Sequence, residues 1–292
     1  MAALDVPVVD YTDYTDRQLA AIPLVVLVLA LAVLGGWFLM TGAPVTPGIE
    51  FTGGTELQVT AGASQAQIQD TFAALPAIDG QPTVTPTASG NTFIITTQST
   101  DTDALTSAAE SAGYTVQSVQ ETSASFGSDV QQLGVLGLAA AFVGMALLVF
   151  VLFRSFVPSI AVILSAFSDI VVPLALMNLF GIELSLGTVA ALLMLIGYSV
   201  DSDILLNNHV LKRRGDFYES TYRARRTGVT MTLTSMAAMA VMAVVASKYV
   251  FNIPLLSQVG LVLVMGLAVD LMNTYLLNVS LLRWYKFEGV AR

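Results

Sequence analysis

Apolar runs of about twenty residues recur along the chain, interrupted once by a long polar stretch. They fall at 22–40, 133–153, 157–180, 187–207, 229–247 and 257–282. Each is long enough to cross a hydrocarbon core of about 30 Å, so the pattern predicts six transmembrane helices. The polar stretch between the first two has a rhythm of its own. Thr55 to Thr60 (TELQVT) alternates as a strand does, after the turn-forming pair Gly53-Gly54. Ser64 suits the N-cap of an amphipathic helix carrying Ile68, Phe72 and Leu75, which Pro76 would end. Residues 82–87 and 92–97 read as strands around a turn at 88–91. Asp101 or Thr102 would cap a second helix running to Gly113, and 114–121 alternates again. This βαββαβ order predicts a ferredoxin-like sandwich. The fold class expected is therefore an α-helical polytopic membrane protein with a ferredoxin-like extracytoplasmic domain between helices 1 and 2. Its segments are a cytoplasmic tail at 1–21, helix 1 at 22–41, the outer domain at 42–130, helices 2–6 at 131–283 and a cytoplasmic tail at 284–292.

Composition agrees, with 55% hydrophobic and 11% charged residues in a chain of 292, against about 25% charged in soluble proteins. Lys and Arg set the orientation. With the N-terminus inside, Arg17, Arg154, Lys212, Arg213, Arg214, Arg223, Arg225, Arg226, Arg283, Lys286 and Arg292 fall inside and only Lys248 outside. The prediction is both termini in the cytoplasm. The acidic start and the length of the first run favour a retained helix over a cleaved signal peptide. The connections at 154–158 and 181–185 are so short that spans two and three, and then three and four, must form hairpins. Net charge is −9, which argues against a nucleic-acid partner. The absence of Cys rules out disulfides and thiolate metal sites. The outer insert holds nine acidic residues and no Lys or Arg, a salt-adapted surface or one suited to cationic partners.

Chemistry concentrates in the stretch from Leu186 to Arg214, where Asp201 and Asp203 interrupt an apolar run beside Ser199, Ser202, Asn207 and Asn208. Each buried carboxylate costs at least about 3 kcal/mol on insertion scales, so several within the spans point to proton or ion handling. The plainer alternative is a hydrated helix end. Asp169, Asp201 and Asp270 lie about 18–21 Å into their spans, near the bilayer midplane. No Lys or Arg lies in any predicted span to neutralise them. A carboxyl that is neutral when dry and ionised when wet is what a proton relay needs. On a regular helix Asp201 shares a face with Gly197, Tyr198 and Asn208, and Asp203 shares one with Ser199 and Asn207, about 200° away. One carboxylate would then face a neighbouring subunit, or the helix would break near Gly197. His209 reads as an interfacial hydrogen-bonding group. Thr230, Thr232, Thr234 and Ser235 form a polar seam or bond to their own helix. Gly134, Gly137, Gly144, Gly260 and Gly266 predict close helix packing. Met231, Met236, Met239 and Met242 read as filler. No phosphate-binding loop, HExxH or GxSxG is present, so neither ATP use nor hydrolysis is supported, and no cofactor or metal site is expected.

Three stretches carry a resemblance: GIEFTGGT at 48–55, Ser168-Asp169-Ile170, and GIELSLGTVAALLMLIGYSV at 181–200. Together with the six spans and the large first outer loop, they resemble the SecF family of protein-export membrane proteins in the resistance-nodulation-division superfamily. The family's motif positions are Gly48, Phe51, Gly53, Gly54, Thr55, Gly197, Tyr198 and Ser199. The resemblance implies a non-enzymatic translocation subunit of the cell membrane. Such a subunit pairs with SecD beside the SecY channel, handles exported polypeptide chains, and uses the proton gradient. It implies Asp169 as the family's span-three aspartate. The bacterial Asn-Asp pair falls on Asp201-Ser202, which moves the acidic function to Asp201 or Asp203. The relay set is then Asp169, Asp201, Asp203 and Asp270, with Ser202, Asn207 and Tyr198. The family arginine falls on Thr227, with Arg226 adjacent, a departure from the family's carboxylate–arginine relay within this subunit. The acidic, Lys-poor composition is similar to that of haloarchaeal proteins. A half-transporter for lipids or small molecules would share the architecture, but expects a larger outer domain and a second six-span half. An intramembrane aspartyl protease expects Gly-x-Gly-Asp, whereas Asp270 follows Gly266-Leu-Ala-Val.

Overall fold

A computed structural model describes residues 10–76, 78, 82–87, 91–212, 216–247, 249–251 and 253–289. Arg213, Arg214, Lys248 and Arg292, used above for orientation, and turn residues 88–90 lie outside them. The first span, α1 (Asp16–Thr41), begins six residues before its apolar run. A reciprocal capping box between Thr15 and Gln18 satisfies its first amide groups and lets a polar turn join the helix. A short helix α2 (Ile49–Thr52) leads into the outer domain. There β1 (Gly54–Thr60), α3 (Gln65–Ala73), β2 (Thr83–Pro86), β3 (Thr92–Thr97), α4 (Thr102–Ser111) and β4 (Thr115–Thr122) follow in the predicted order. Ser64 and Asp101 are the N-caps. The sheet is antiparallel with order β2-β3-β1-β4, as a ferredoxin-like domain requires. Leu57, Val59 and Ile95 from its inner face pack on Ile68, Phe72 and Leu105 of the two helices.

Five more spans follow: α5 (Ala124–Phe153), α6 (Phe156–Phe180), α7 (Leu186–Lys212), α8 (Phe217–Ala246) and a last span over Pro254–Gly289. The last is α9 (Pro254–Met272), a π-helical segment Asn273–Asn278, α10 (Val279–Trp284) and a second π segment, Tyr285–Gly289. Helix α8 starts twelve residues ahead of its apolar run. Phe217, Thr221, Ala224 and Gly228 recur at helical spacing and are buried, while Arg223 and Arg226 face outward, so the amphipathic turns fold with the span. The expectation that no Lys or Arg lies within a span is thereby corrected: Arg225 and Arg283 both belong to spanning helices. A break near Gly197 is also corrected, because α7 runs unbroken past it. The irregularity lies instead in the last span.

Helices α6 and α7 are 67% and 56% buried over their most apolar windows and α5 only 11%, so the core sits around α6, α7 and α9. Of the glycines predicted to allow close packing, those of α9 do so. A Cβ at Gly260 would lie 3.0 Å from backbone atoms of α8, whereas Gly137 and Gly144 of α5 have nothing within 4 Å. Met236, Met239 and Met242 pack against the core as filler.

Candidate functional site

Three carboxylates from three spans enter one buried polar cluster: Asp169 of α6, Asp203 of α7 and Asp270 of α9, each 1% exposed or less. Asp169 accepts from Ser199 Oγ at 2.5 Å and from Asn273 Nδ2 at 2.6 Å. Asp203 Oδ1 accepts from Asn278 Nδ2 and from Thr274 Oγ1, both at 2.8 Å. Asp270 Oδ1 accepts from Ser202 Oγ at 2.8 Å and lies 3.3 Å from Thr274 Oγ1. Asn207 donates to the Asp203 carbonyl oxygen. Among the described residues no Lys or Arg pairs with any of the three. The ion pairs among the described residues are Arg223–Glu219 and Arg283–Asp16.

Donors are scarce in this cluster. Thr274 has one hydroxyl hydrogen and two carboxylates within reach. Asp203 Oδ2 and the amide oxygens of Asn207, Asn273 and Asn278 have no partner among the protein groups. Each such buried acceptor costs about 1–3 kcal/mol. A proton on a carboxyl turns an acceptor into a donor, so this network is suited to taking up protons.

The α7 carboxylates separate as the helical wheel requires. Asp203 points into the cluster with Ser199, Ser202 and Asn207. Asp201 does not join it: with Tyr198 it is exposed on the bundle's outer side, in a cleft shared with Met231, Thr232 and Ser235 of α8. Of the relay candidates, Asp169, Asp203, Asp270, Ser202 and Asn207 thus meet in the cluster, and Asp201 and Tyr198 lie on the outer side of α7. His209 bonds the Leu205 carbonyl of its own helix. Thr230 and Thr234 do the same with Arg226 and Met231. The residues that sequence reasoning missed are Asn273, Thr274, Tyr275 and Asn278. The π segment holds them beside Asp270, and their polar stripe at helical spacing within an apolar run was the available signal.

At the end of the bundle where the helices carry their arginines, Tyr11 is 1% exposed and packs with Leu206, Val210, Val279 and Leu282. Arg283 holds this segment, donating to the carbonyls of Tyr11 and Tyr14 and to the Asp16 carboxylate.

At the opposite end, the 48–55 motif forms a joint. Gly48 N–H donates to the Leu184 carbonyl, Leu184 N–H to the Thr46 carbonyl, and Leu186 N–H to the Glu50 carboxylate. Phe51 is buried, and the buried Thr55 donates to the Ser99 carbonyl. Gly53 (φ +81°) and Gly54 (φ +141°) adopt backbone closed to other residues. A Cβ on Gly53 would lie 2.6 Å from Ala124 N, and one on Gly54 2.3 Å from the Thr97 carbonyl oxygen. The outer sheet is thus tied both to the start of α5 and to the α6–α7 hairpin, the two helices carrying Asp169 and Asp203. Gly197 has nothing within 4 Å, so no packing need accounts for that motif position.

Between the sheet's open face and this hairpin lies a cavity of 510 Å³ lined by Glu50, Glu56, Glu183, Thr85, Ile94 and Leu255. Burial pushes the Glu183 carboxyl above its ordinary 4.5. Burial and then the Glu50 charge do the same at Glu56. A raised carboxyl binds its proton more tightly in the folded protein, so its stabilising contribution is full below pH 4.5 and is lost as pH rises through the raised value. Melting of the purified chain across that window is expected to show this loss, and Glu183→Gln to flatten it. Superimposable slopes for the two proteins would refute the assignment.

Comparison with known proteins decides the family. The family described as Protein export membrane protein SecD/SecF, C-terminal, matches residues 102–288, and the SecD/SecF GG Motif matches 38–64. The chain belongs to the SecF family of protein-export membrane proteins. It is 63% identical over 296 residues to protein-export membrane protein SecF of Haloferax volcanii, with all of both chains covered. It is 60% identical over 299 residues to SecF of Haloquadratum walsbyi, again over all of both. The SecF of Methanocaldococcus jannaschii is 36% identical over 93% of this chain and 96% of its own. Among solved structures, SecDF of Thermus thermophilus superposes with a TM-score of 0.72 at 19% identity, over 96% of this chain and 40% of that one. The shared fold is a multi-pass membrane bundle with an outer α+β domain. SecF membership makes this chain an accessory protein of the Sec export pathway.

Proposed function

We propose that this chain joins a SecD-type partner in the cell membrane and uses the proton gradient to assist export through the SecY translocon. Protons enter and leave at Asp169, Asp203 and Asp270. The observation that carries this reading is the Thr274 hydroxyl set between Asp203 and Asp270, with no basic side chain on either among the described residues. The two carboxylates compete for that one hydroxyl hydrogen, and a change in the pair's protonation changes which bonds tie α7 to the last span. Because α6 and α7 end in the hairpin bonded to the 46–50 segment, their rearrangement reaches the outer domain directly. Both termini are cytoplasmic in this reading, and the outer domain meets emerging polypeptide chains.

A partner is expected on physical grounds. Asp201 is exposed at membrane depth, where a lipid-facing carboxylate is costly, and a neighbouring helix in the Tyr198–Ser235 cleft would cover it. The solved SecDF polypeptide is more than twice as long as the part this chain matches. Isolation of the tagged full-length chain in mild detergent is expected to bring down a SecD-type protein in equal amount. Recovery of the chain alone, under conditions that preserve other membrane complexes, would remove the partnership.

A further inference from the structure

Two hydroxyls stand between the carboxylates of α7 and the last span, and both are buried, Ser202 at 6% exposure and Thr274 at 0%. Their oxygens make an unbroken row. Asp270 Oδ1 lies 2.8 Å from Ser202 Oγ, Ser202 Oγ 3.2 Å from Thr274 Oγ1, and Thr274 Oγ1 2.8 Å from Asp203 Oδ1. Thr274 also reaches Asp270 directly, at 3.3 Å, which is the longest of these contacts. Ser202 has one further acceptor, the Ser199 carbonyl of its own helix at 2.8 Å.

The hydrogens available decide how this row behaves. A hydroxyl donates one hydrogen and accepts through two lone pairs, and an ionised carboxylate only accepts. With both carboxyls ionised, Thr274 donates to Asp203 and Ser202 to Asp270, and the two hydroxyl oxygens face each other with no hydrogen between them. A proton on Asp270 changes this. Asp270 then donates to Ser202, Ser202 to Thr274 and Thr274 to Asp203, so every contact of the row holds one hydrogen. A proton on Asp203 fills the same row in the opposite direction. With a proton on each carboxyl, Ser202 receives from both sides and turns its own hydrogen onto the Ser199 carbonyl, as a serine in a helix readily does. The row is continuous and directional only when the two carboxyls share a single proton.

We propose that Ser202 and Thr274 form a wire that passes a proton between Asp270 of the last span and Asp203 of α7. The transfer balances within the row. The O–H bond of the Asp270 carboxyl breaks as one forms on Ser202. Ser202 gives its own hydrogen to Thr274, and Thr274 gives its hydrogen to the Asp203 carboxylate. Both hydroxyls end neutral with one hydrogen each, and the negative charge has moved from α7 to the last span. No heavy atom has to travel, because each step already lies within hydrogen-bond reach. Rotation of the two hydroxyls resets the wire. Ser202 is needed because without it the carboxylates are joined only through the 3.3 Å contact of Thr274 with Asp270.

This rests on the proton reading above, and the test separates the two. In cells whose own copy is deleted, the full-length chain carrying Ser202→Ala, Thr274→Val or both is compared with wild type and with Asp203→Asn. Export of a signal-bearing reporter is followed, and melting of each variant is measured in detergent. Each single variant is expected to slow export about tenfold. The double variant should be no slower than Thr274→Val, because two cuts in one wire act as one. Thr274→Ser, which keeps the hydroxyl, should recover most of the rate. Independent structural losses multiply instead, so a double variant slowed about a hundredfold would overturn the wire. Export by Thr274→Ser no faster than by Thr274→Val would overturn it too. Wild-type export by either single variant while Asp203→Asn is slow would overturn the wire and leave proton coupling standing. Wild-type export by all of them, Asp203→Asn included, would overturn both. A fall in melting temperature that tracks the fall in export across the variants would make the hydroxyls structural and also overturn the wire.

Discussion

Replacing Asp203 by Asn is expected to slow export roughly tenfold or more, equivalent to about 1.4 kcal/mol per factor of ten, while leaving the chain folded. The amide keeps the shape of the carboxyl. It still offers an oxygen to Asn278 and Thr274, so the bonds tying α7 to the last span survive. What it loses is the ability to take a proton. Asp169→Asn should behave alike, because Ser199 and Asn273 retain an acceptor there. Export of a reporter, measured alongside melting in detergent, checks both. Wild-type rates in the two variants would take the carboxylates out of the mechanism.

Gly260→Val is expected to act on the fold rather than on the chemistry. At this position even a methyl group meets Ala243 N and Met239 O of α8 at 3.0 Å, and Ala243 Cβ at 2.9 Å. Two of those atoms are backbone and cannot rotate away, so α8 and α9 must part. Overpacking of this kind costs about 1–3 kcal/mol, and the larger valine belongs at the upper end. In a chain of this size that lowers the melting temperature by several degrees, about 2–4 °C for each kcal/mol. Gly137→Val on α5, where nothing lies within 4 Å, is the control and should melt with wild type. Equal melting of both variants would refute the packing argument.

The six spans and the βαββαβ domain were legible because both rest on periodicity and caps. Hydropathy alone set span boundaries, so it began α8 too late and ended the last span too early. It could not register Phe217, Thr221 and Ala224 as one buried stripe, nor the caged Arg283. The carboxylates were legible as costly groups, and the wheel placed Asp201 and Asp203 on opposite sides. Which side faced inward depended on α6 and α9, whose distance in sequence from α7 hides the bonds to Asn273, Thr274 and Asn278. The glycines show the same limit. Gly260 and Gly137 look alike in sequence, and only the neighbouring helix distinguishes a contact from open space.

The clasp between Arg283 and residues 11–16 bears on how the molecule is assembled during synthesis. The first span seats Leu27 and Ala30 against Val171, Val172 and Val269, and Tyr11 rests on Val279 and Leu282. Its partners are thus made third and last. A nascent chain released after five spans would hold a first helix with half its docking surface missing. The first span therefore completes its packing only once the last one has been made, so the helix synthesised first is among the last to be fully seated.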